Sequence, residues 1–130
     1  MKSSIPKWIA ILSALIAALG LFVGCSLYLS PGTFIENVDF TSKWTRYLTN
    51  MWAARQIAIA AIIGYSVFRR SNVMLKVSLI AYCLMNFQDV LIGLSLGDKG
   101  LIIGASIGCI LSGSMIFVLS QSEVKGEMTR

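Results

Sequence analysis

The sequence predicts an all-α protein, a four-transmembrane-helix up-down bundle in a single membrane domain, and three observations carry that reading. Hydrophobic residues make up 56% of the chain and charged residues 13%, against roughly 45 to 50% and 25% in soluble domains, so polar residues are too few to cover a water-soluble globule. Four stretches reach the length of about 20 mostly apolar residues that a spanning helix needs at a 1.5 Å rise per residue. The cations collect between these stretches and at the termini, where they orient spans, rather than on one face.

The first span is expected from about Trp8 to Leu29 and is closed by Ser30-Pro31-Gly32, since proline lacks an N–H and glycine favours turns. Lys2 and Lys7 ahead of it resemble the start of a signal peptide, and Phe22-Val23-Gly24-Cys25 loosely resembles a lipoprotein cleavage box. The apolar run exceeds the 7 to 15 residues of a signal core, and Phe22 is bulky for such a box, so a retained span is the reading preferred over cleavage or lipid attachment at Cys25.

The segment at 30–48 is expected to be an outer loop carrying an amphipathic stretch. Phe40, Trp44, Tyr47, Leu48 and Met51 recur at three- and four-residue spacing with Thr41, Ser42, Lys43 and Arg46 between them, the pattern of a helix on the membrane surface that can run directly into the second span. An irregular loop with interfacial aromatics is the alternative. The second span is expected from about Thr49 to Phe68, the third from about Val73 to Leu96 and the fourth from about Gly100 to Ser120. The turns Arg69-Arg70-Ser71-Asn72 and Gly97-Asp98-Lys99-Gly100 are short enough to make helices two, three and four antiparallel neighbours.

Lys2, Lys7, Arg69, Arg70, Lys76, Lys125 and Arg130 then fall on one side, and Lys43, Arg46 and Lys99 on the other. The positive-inside rule puts both termini in the cytoplasm of a multi-pass cell-membrane protein, with Glu36, Asp39 and Asp98 outside. Lys76 lies near an inner helix end and can extend its amine to the headgroups. The net charge of +5 is explained by this orientation, so nucleic acid is not an expected partner.

Histidine is absent, which removes the commonest transition-metal ligand and general base. Cys25, Cys83 and Cys109 are far apart and make no CxxC pair. No metal, cofactor or catalytic set is therefore expected.

Membrane helices associate through small residues and interhelical polar bonds. Gly100, Gly104, Gly108 and Ser112 follow at four-residue steps and predict a packing face on helix four, for a neighbour in the bundle or for a second copy in a homodimer. Ala10, Ala14 and Ala18, and Gly20 with Gly24, are weaker candidates on helix one.

Arg55 and Asp89 are ionisable groups well inside predicted spans, and such groups are expensive unless paired or hydrated. Helices two and three reverse around Ser71-Asn72, so residues whose numbers sum to about 143 are expected at one level. That sets Arg55 beside Asp89 as an ion pair, roughly 10 Å below the outer boundary. Ser78, Tyr82, Asn86, Asp89 and Gly93 lie along one face of helix three, where Trp52, Arg55 and either Gln56 or Tyr65 of helix two are expected to meet them. The cluster reads either as a network fixing helix register or as an outward-facing pocket for a small polar or amphipathic molecule.

The segment Met51-Trp52-Ala53-Ala54-Arg55-Gln56 after a Pro31-containing outer loop, together with four spans in a small chain, resembles the broad group of DoxX-like small membrane proteins. Some members of that group are associated with quinone-linked or thiol-related oxidation, but the absence of CxxC and histidine keeps the resemblance from implying a redox activity here. The leading functional expectation is a small-molecule-binding or accessory subunit of a bacterial-type inner membrane with a buried Arg/Asp polar site, with membrane lipid and a homodimer or larger membrane complex as its expected partners. A transporter or channel formed by a homo-oligomer, and a membrane enzyme acting on a quinone or lipid with Asp89, Tyr82 or Cys83 transferring protons, are the alternatives.

Overall fold

The computed structural model describes residues 5–33 and 38–128, with side chains described as far as Ser122. The class is the expected one: all-α, with no strand among the described residues. Helix α1 spans Lys7–Leu29, a single 3-10 turn follows at Pro31–Thr33, and α2 (Lys43–Phe68), α3 (Asn72–Leu96) and α4 (Lys99–Met128) complete the chain. Each of the four is long and apolar enough to cross a membrane, which makes this a multi-pass membrane protein. Lys2, Glu36 and Arg130, counted in the charge argument, lie outside the described residues, as does the side chain of Lys125.

The chain divides into two compact units. Residues 11–65 hold most of α1 and α2. Residues up to Ala10 together with 66–130 hold α3, α4 and the last turn of α2.

In the α1–α2 unit, glycines of α1 let the backbone of α2 approach. A Cβ added at Gly20 would lie 3.0 Å from Ala60 Cβ, and one at Gly24 would lie 3.1 Å from Ala53 O and 2.5 Å from Ile57 Cγ1. Further along, a Cβ at Gly64 would meet that of Ala17 at 3.7 Å. The rising numbers on one helix against the falling numbers on the other make the pair antiparallel. Gly20 and Gly24 are thus packing residues, whereas Ala14 and Ala18 face outward and Ala17 takes the inner position.

The amphipathic stretch is not a separate element. The Ser42 carbonyl accepts from Arg46 N at 3.2 Å to open α2, and the helix then runs unbroken through Thr49. No glycine or proline occurs between Lys43 and Ile63 to stop it. Ahead of it, Asp39 Oδ1 accepts from Thr41 N at 2.9 Å and from Thr41 Oγ1 at 2.6 Å. These bonds hold the Asp39 carboxyl below the ordinary carboxylate range, the hydroxyl contributing most. Trp44 is 77% exposed and meets Tyr47 edge to face, with ring centroids 6.5 Å apart.

In the α3–α4 unit the turns are capped at both ends. Arg70 takes a left-handed conformation (φ 50°). Its N–H donates to Val67 O at 3.0 Å, and Ser71 N donates back to Ser66 O at 3.2 Å. Ser71 then caps α3, its hydroxyl accepting from Met74 N. At the other end Gly97 is left-handed (φ 70°, ψ 20°), and both it and Asp98 donate to Gly93 O. Asp98 caps α4, with Oδ1 accepting from Leu101 N at 3.1 Å. One glycine and one aspartate therefore reverse the chain in two residues.

The inside and outside of the helices are distributed as hydrocarbon requires. Ile11, Leu15, Leu19, Phe22, Leu84, Phe87, Ile107, Ile110 and Phe117 are exposed, whereas Ser13, Ser66, Ser78, Asn86, Asp89 and Ser112 are buried. Lipid-facing hydroxyls are absorbed by their own helix: Ser114 Oγ donates to Ile110 O and Ser95 Oγ to Ile92 O, each at 2.8 Å.

Candidate functional site

The polar face expected on α3 is present, and its members have different duties. Ser78 is buried, but its hydroxyl donates to Leu75 O at 2.9 Å, so it is used within its own helix. Tyr82 is half-buried. Asn86 and Asp89, 7% and 6% exposed, are the two side chains of this face that put an amide and a carboxylate deep in a membrane-length helix.

Asn86 is fixed from two sides. Its Nδ2 donates to Tyr82 O at 2.8 Å, one turn back along α3. From α4, Gly108 leaves room for the amide: a Cβ there would lie 2.5 Å from Asn86 Oδ1 and 2.8 Å from its Cγ. Two turns farther along, Gly93 likewise admits α4, since its Cβ would lie 2.8 Å from Ile102 Cγ1 and 3.2 Å from Ile102 N. Asp89 sits on α3 between these two close approaches.

The four-residue row on α4 divides. Gly108 and Ser112 are buried, the latter bonding Gly108 O at 2.7 Å, while Gly100 and Gly104 are exposed. Helix geometry accounts for this. At 100° per residue, a four-residue step overshoots a full turn by about 40°, so a row of three such steps winds about 120° around the helix. The buried seam instead alternates steps of three and four: Ala105, Gly108, Ser112, Met115 and Leu119.

On α2, Trp52, Arg55 and Gln56 are half-buried and share a little over one turn. That turn is positioned by α1, because Gly24 admits Ala53 and Ile57 while Gln56 O lies 3.7 Å from where a Gly20 Cβ would stand. Arg55, Trp52 and Gln56 therefore belong to the α1–α2 unit, and Tyr82, Asn86 and Asp89 to the α3–α4 unit.

A further pair was not anticipated. Cys83 and Cys109, 26 residues apart in sequence, bring their sulfurs to 3.4 Å. Each thiol also points at the other's backbone carbonyl, Cys83 Sγ at 3.7 Å from Cys109 O and Cys109 Sγ at 3.5 Å from Cys83 O. The cysteines make no CxxC pair in sequence, yet these two are neighbours in space. The signal was available in the Gly97-Asp98 reversal, which puts residues whose numbers sum to about 195 at one level.

Fold and site together define a multi-pass, all-α membrane protein with buried polar groups and a close thiol pair. Compared with family models, curated proteins and solved structures, the chain matches none. The DoxX-like resemblance rests on the Met51–Gln56 segment and the span count alone.

Proposed function

We propose that this protein is a binding or accessory subunit of a cell membrane, oriented with both termini in the cytoplasm. Its polar site is built on the α3 face, with Asp89 as the group that carries it and Arg55 of α2 as the second intramembrane charge of the reading. The single observation behind it is the burial of Asp89 and Asn86, seven and ten residues from the C-terminal end of a helix long enough to span the bilayer. A carboxylate in that position costs several kcal/mol unless it meets a partner or water. Intramembrane ionisable groups for that reason commonly mark a ligand or proton path.

Native mass spectrometry of the protein released from lipid nanodiscs tests this. Wild type is expected to carry a bound small molecule or subunit that Asp89→Asn loses while keeping its thermal stability. The same bound species on both proteins, or none on either, would refute the reading. Ion or solute flux into liposomes that depends on Asp89 would replace it with transport.

A further inference from the structure

We infer that Cys83 and Cys109 form a membrane-embedded dithiol redox site whose oxidant is a lipid-soluble quinone. Three observations converge on it. The sulfurs are 3.4 Å apart, so a bond of about 2.0 Å needs a closure of roughly 1.4 Å, within reach of small side-chain rotations. The backbones are held together at this level, because Gly108, the residue before Cys109, admits Asn86 of α3. Both thiols are half-buried rather than sealed, leaving them open to small molecules from the surroundings of the helix pair.

The depth of the pair restricts the oxidant to a neutral molecule that dissolves in the bilayer. Cys83 lies eleven residues from the start of α3 and thirteen from its end, and Cys109 lies ten residues into α4. Both are therefore at least about 15 Å along the helix axis from the nearest end of their helices. Charged disulfides such as oxidised glutathione are excluded from that depth by the cost of taking ions into hydrocarbon. A step that left a thiolate behind would meet the same penalty.

A quinone avoids both costs, since it is neutral, dissolves in the bilayer and takes up hydrogen with the electrons. The two S–H bonds break and one S–S bond forms. The two electrons and two protons pass to the quinone oxygens, giving hydroquinone and leaving no charge in the membrane. Closure ties the middle of α3 to the middle of α4 across the Gly97-Asp98 turn.

The experiment uses full-length protein, reduced and then freed of reductant, in phosphatidylcholine liposomes, with a short-chain ubiquinone analogue as oxidant. Hydroquinone absorbance, alkylation and intact mass are followed together. Wild type and Cys25→Ser are expected to form one hydroquinone and one intrachain disulfide per chain, and Cys83→Ser and Cys109→Ser neither. Oxidised glutathione is expected to act at least about tenfold more slowly than the quinone. Pretreating wild type with phenylarsine oxide, which bridges close thiol pairs, should abolish the reaction and needs no substitution. Two results overturn the inference: all three thiols staying alkylatable after quinone, or hydroquinone forming equally after phenylarsine oxide or in Cys83→Ser.

Discussion

Replacing Gly108 with alanine tests the contact that fixes the polar face of α3. The new Cβ would lie 2.5 Å from Asn86 Oδ1, 2.8 Å from Cγ and 3.2 Å from Nδ2, all short of ordinary van der Waals contact. The amide cannot simply turn away, because Nδ2 is committed to Tyr82 O at 2.8 Å. Either α4 moves off α3, at the 1 to 3 kcal/mol typical of overpacking, or a buried hydrogen bond worth about 1 kcal/mol is lost. Alanine's better helix propensity offsets about 0.5 to 1 kcal/mol, so a net loss of about 1 to 2 kcal/mol is expected.

Gly104→Ala is the internal control, since that position is exposed with nothing near the added methyl, and it should be neutral or stabilising by up to about 1 kcal/mol. Shortening the amide should rescue the clash, so Asn86→Ala combined with Gly108→Ala is expected to show a favourable coupling of at least about 1 kcal/mol. Unfolding in mixed micelles by SDS titration, followed by far-ultraviolet circular dichroism, measures wild type, the Gly108→Ala, Gly104→Ala and Asn86→Ala single variants and the double variant. Equal stability of the Gly108→Ala and Gly104→Ala variants would refute the packing argument, and so would strict additivity in the double variant.

Gly97→Ala puts a Cβ on a residue at φ 70° and should cost about 1 kcal/mol, and Asp98→Ala should cost about the same through loss of the α4 cap. Melting curves unchanged by both substitutions would show that this turn does not set the hairpin. For Asp39, bonds from Thr41 favour the ionised carboxyl in the folded state, so its contribution is complete above the unfolded value of about 3.9 and is lost as pH falls through the lower folded value. The Thr41 amide resonance in micelles should therefore titrate with a midpoint below about 3.9, and a midpoint at or above it contradicts the bonded geometry. A single cysteine at position 71, in a background lacking the natural three, should react with an impermeant maleimide only from the cytoplasmic side of oriented vesicles; labelling from the outside reverses the proposed orientation.

The spans were legible to within a residue or so at most ends because hydrocarbon imposes length and composition on a helix more strictly than water does. The start of α2 was less legible. A polar run such as Thr41-Ser42-Lys43 reads as a boundary, yet Ser42 opens a helix there and no breaking residue interrupts it before the apolar stretch. α4 outran its expected end for a related reason, since Gln121 and Ser122 are polar enough to leave the membrane but do nothing to stop a helix.

The buried polar face of α3 was legible in the sequence, and the contacts around it were less so. Asn86 and Asp89 could be named from periodicity, because a polar residue at helical spacing among leucines and isoleucines has to turn inward. That Gly108 serves Asn86 while Gly104 serves nothing nearby depends on how two helices wind past each other, which no single-helix pattern contains. The pairing of Cys83 with Cys109 escaped notice because each lies on its own helix and only the hairpin brings them together.

The continuity of α2 has a consequence for where the protein can live. Twenty-six residues make a rod of about 39 Å, against a hydrocarbon slab of about 30 Å. The surplus carries Trp44, Arg46 and Tyr47, side chains that prefer the headgroup zone. Having no joint there, this rod cannot fold its overhang flat when the bilayer thins or stretches. It must tilt, slide or draw lipid to itself, so membranes of different thickness will hold the chain at different inclinations.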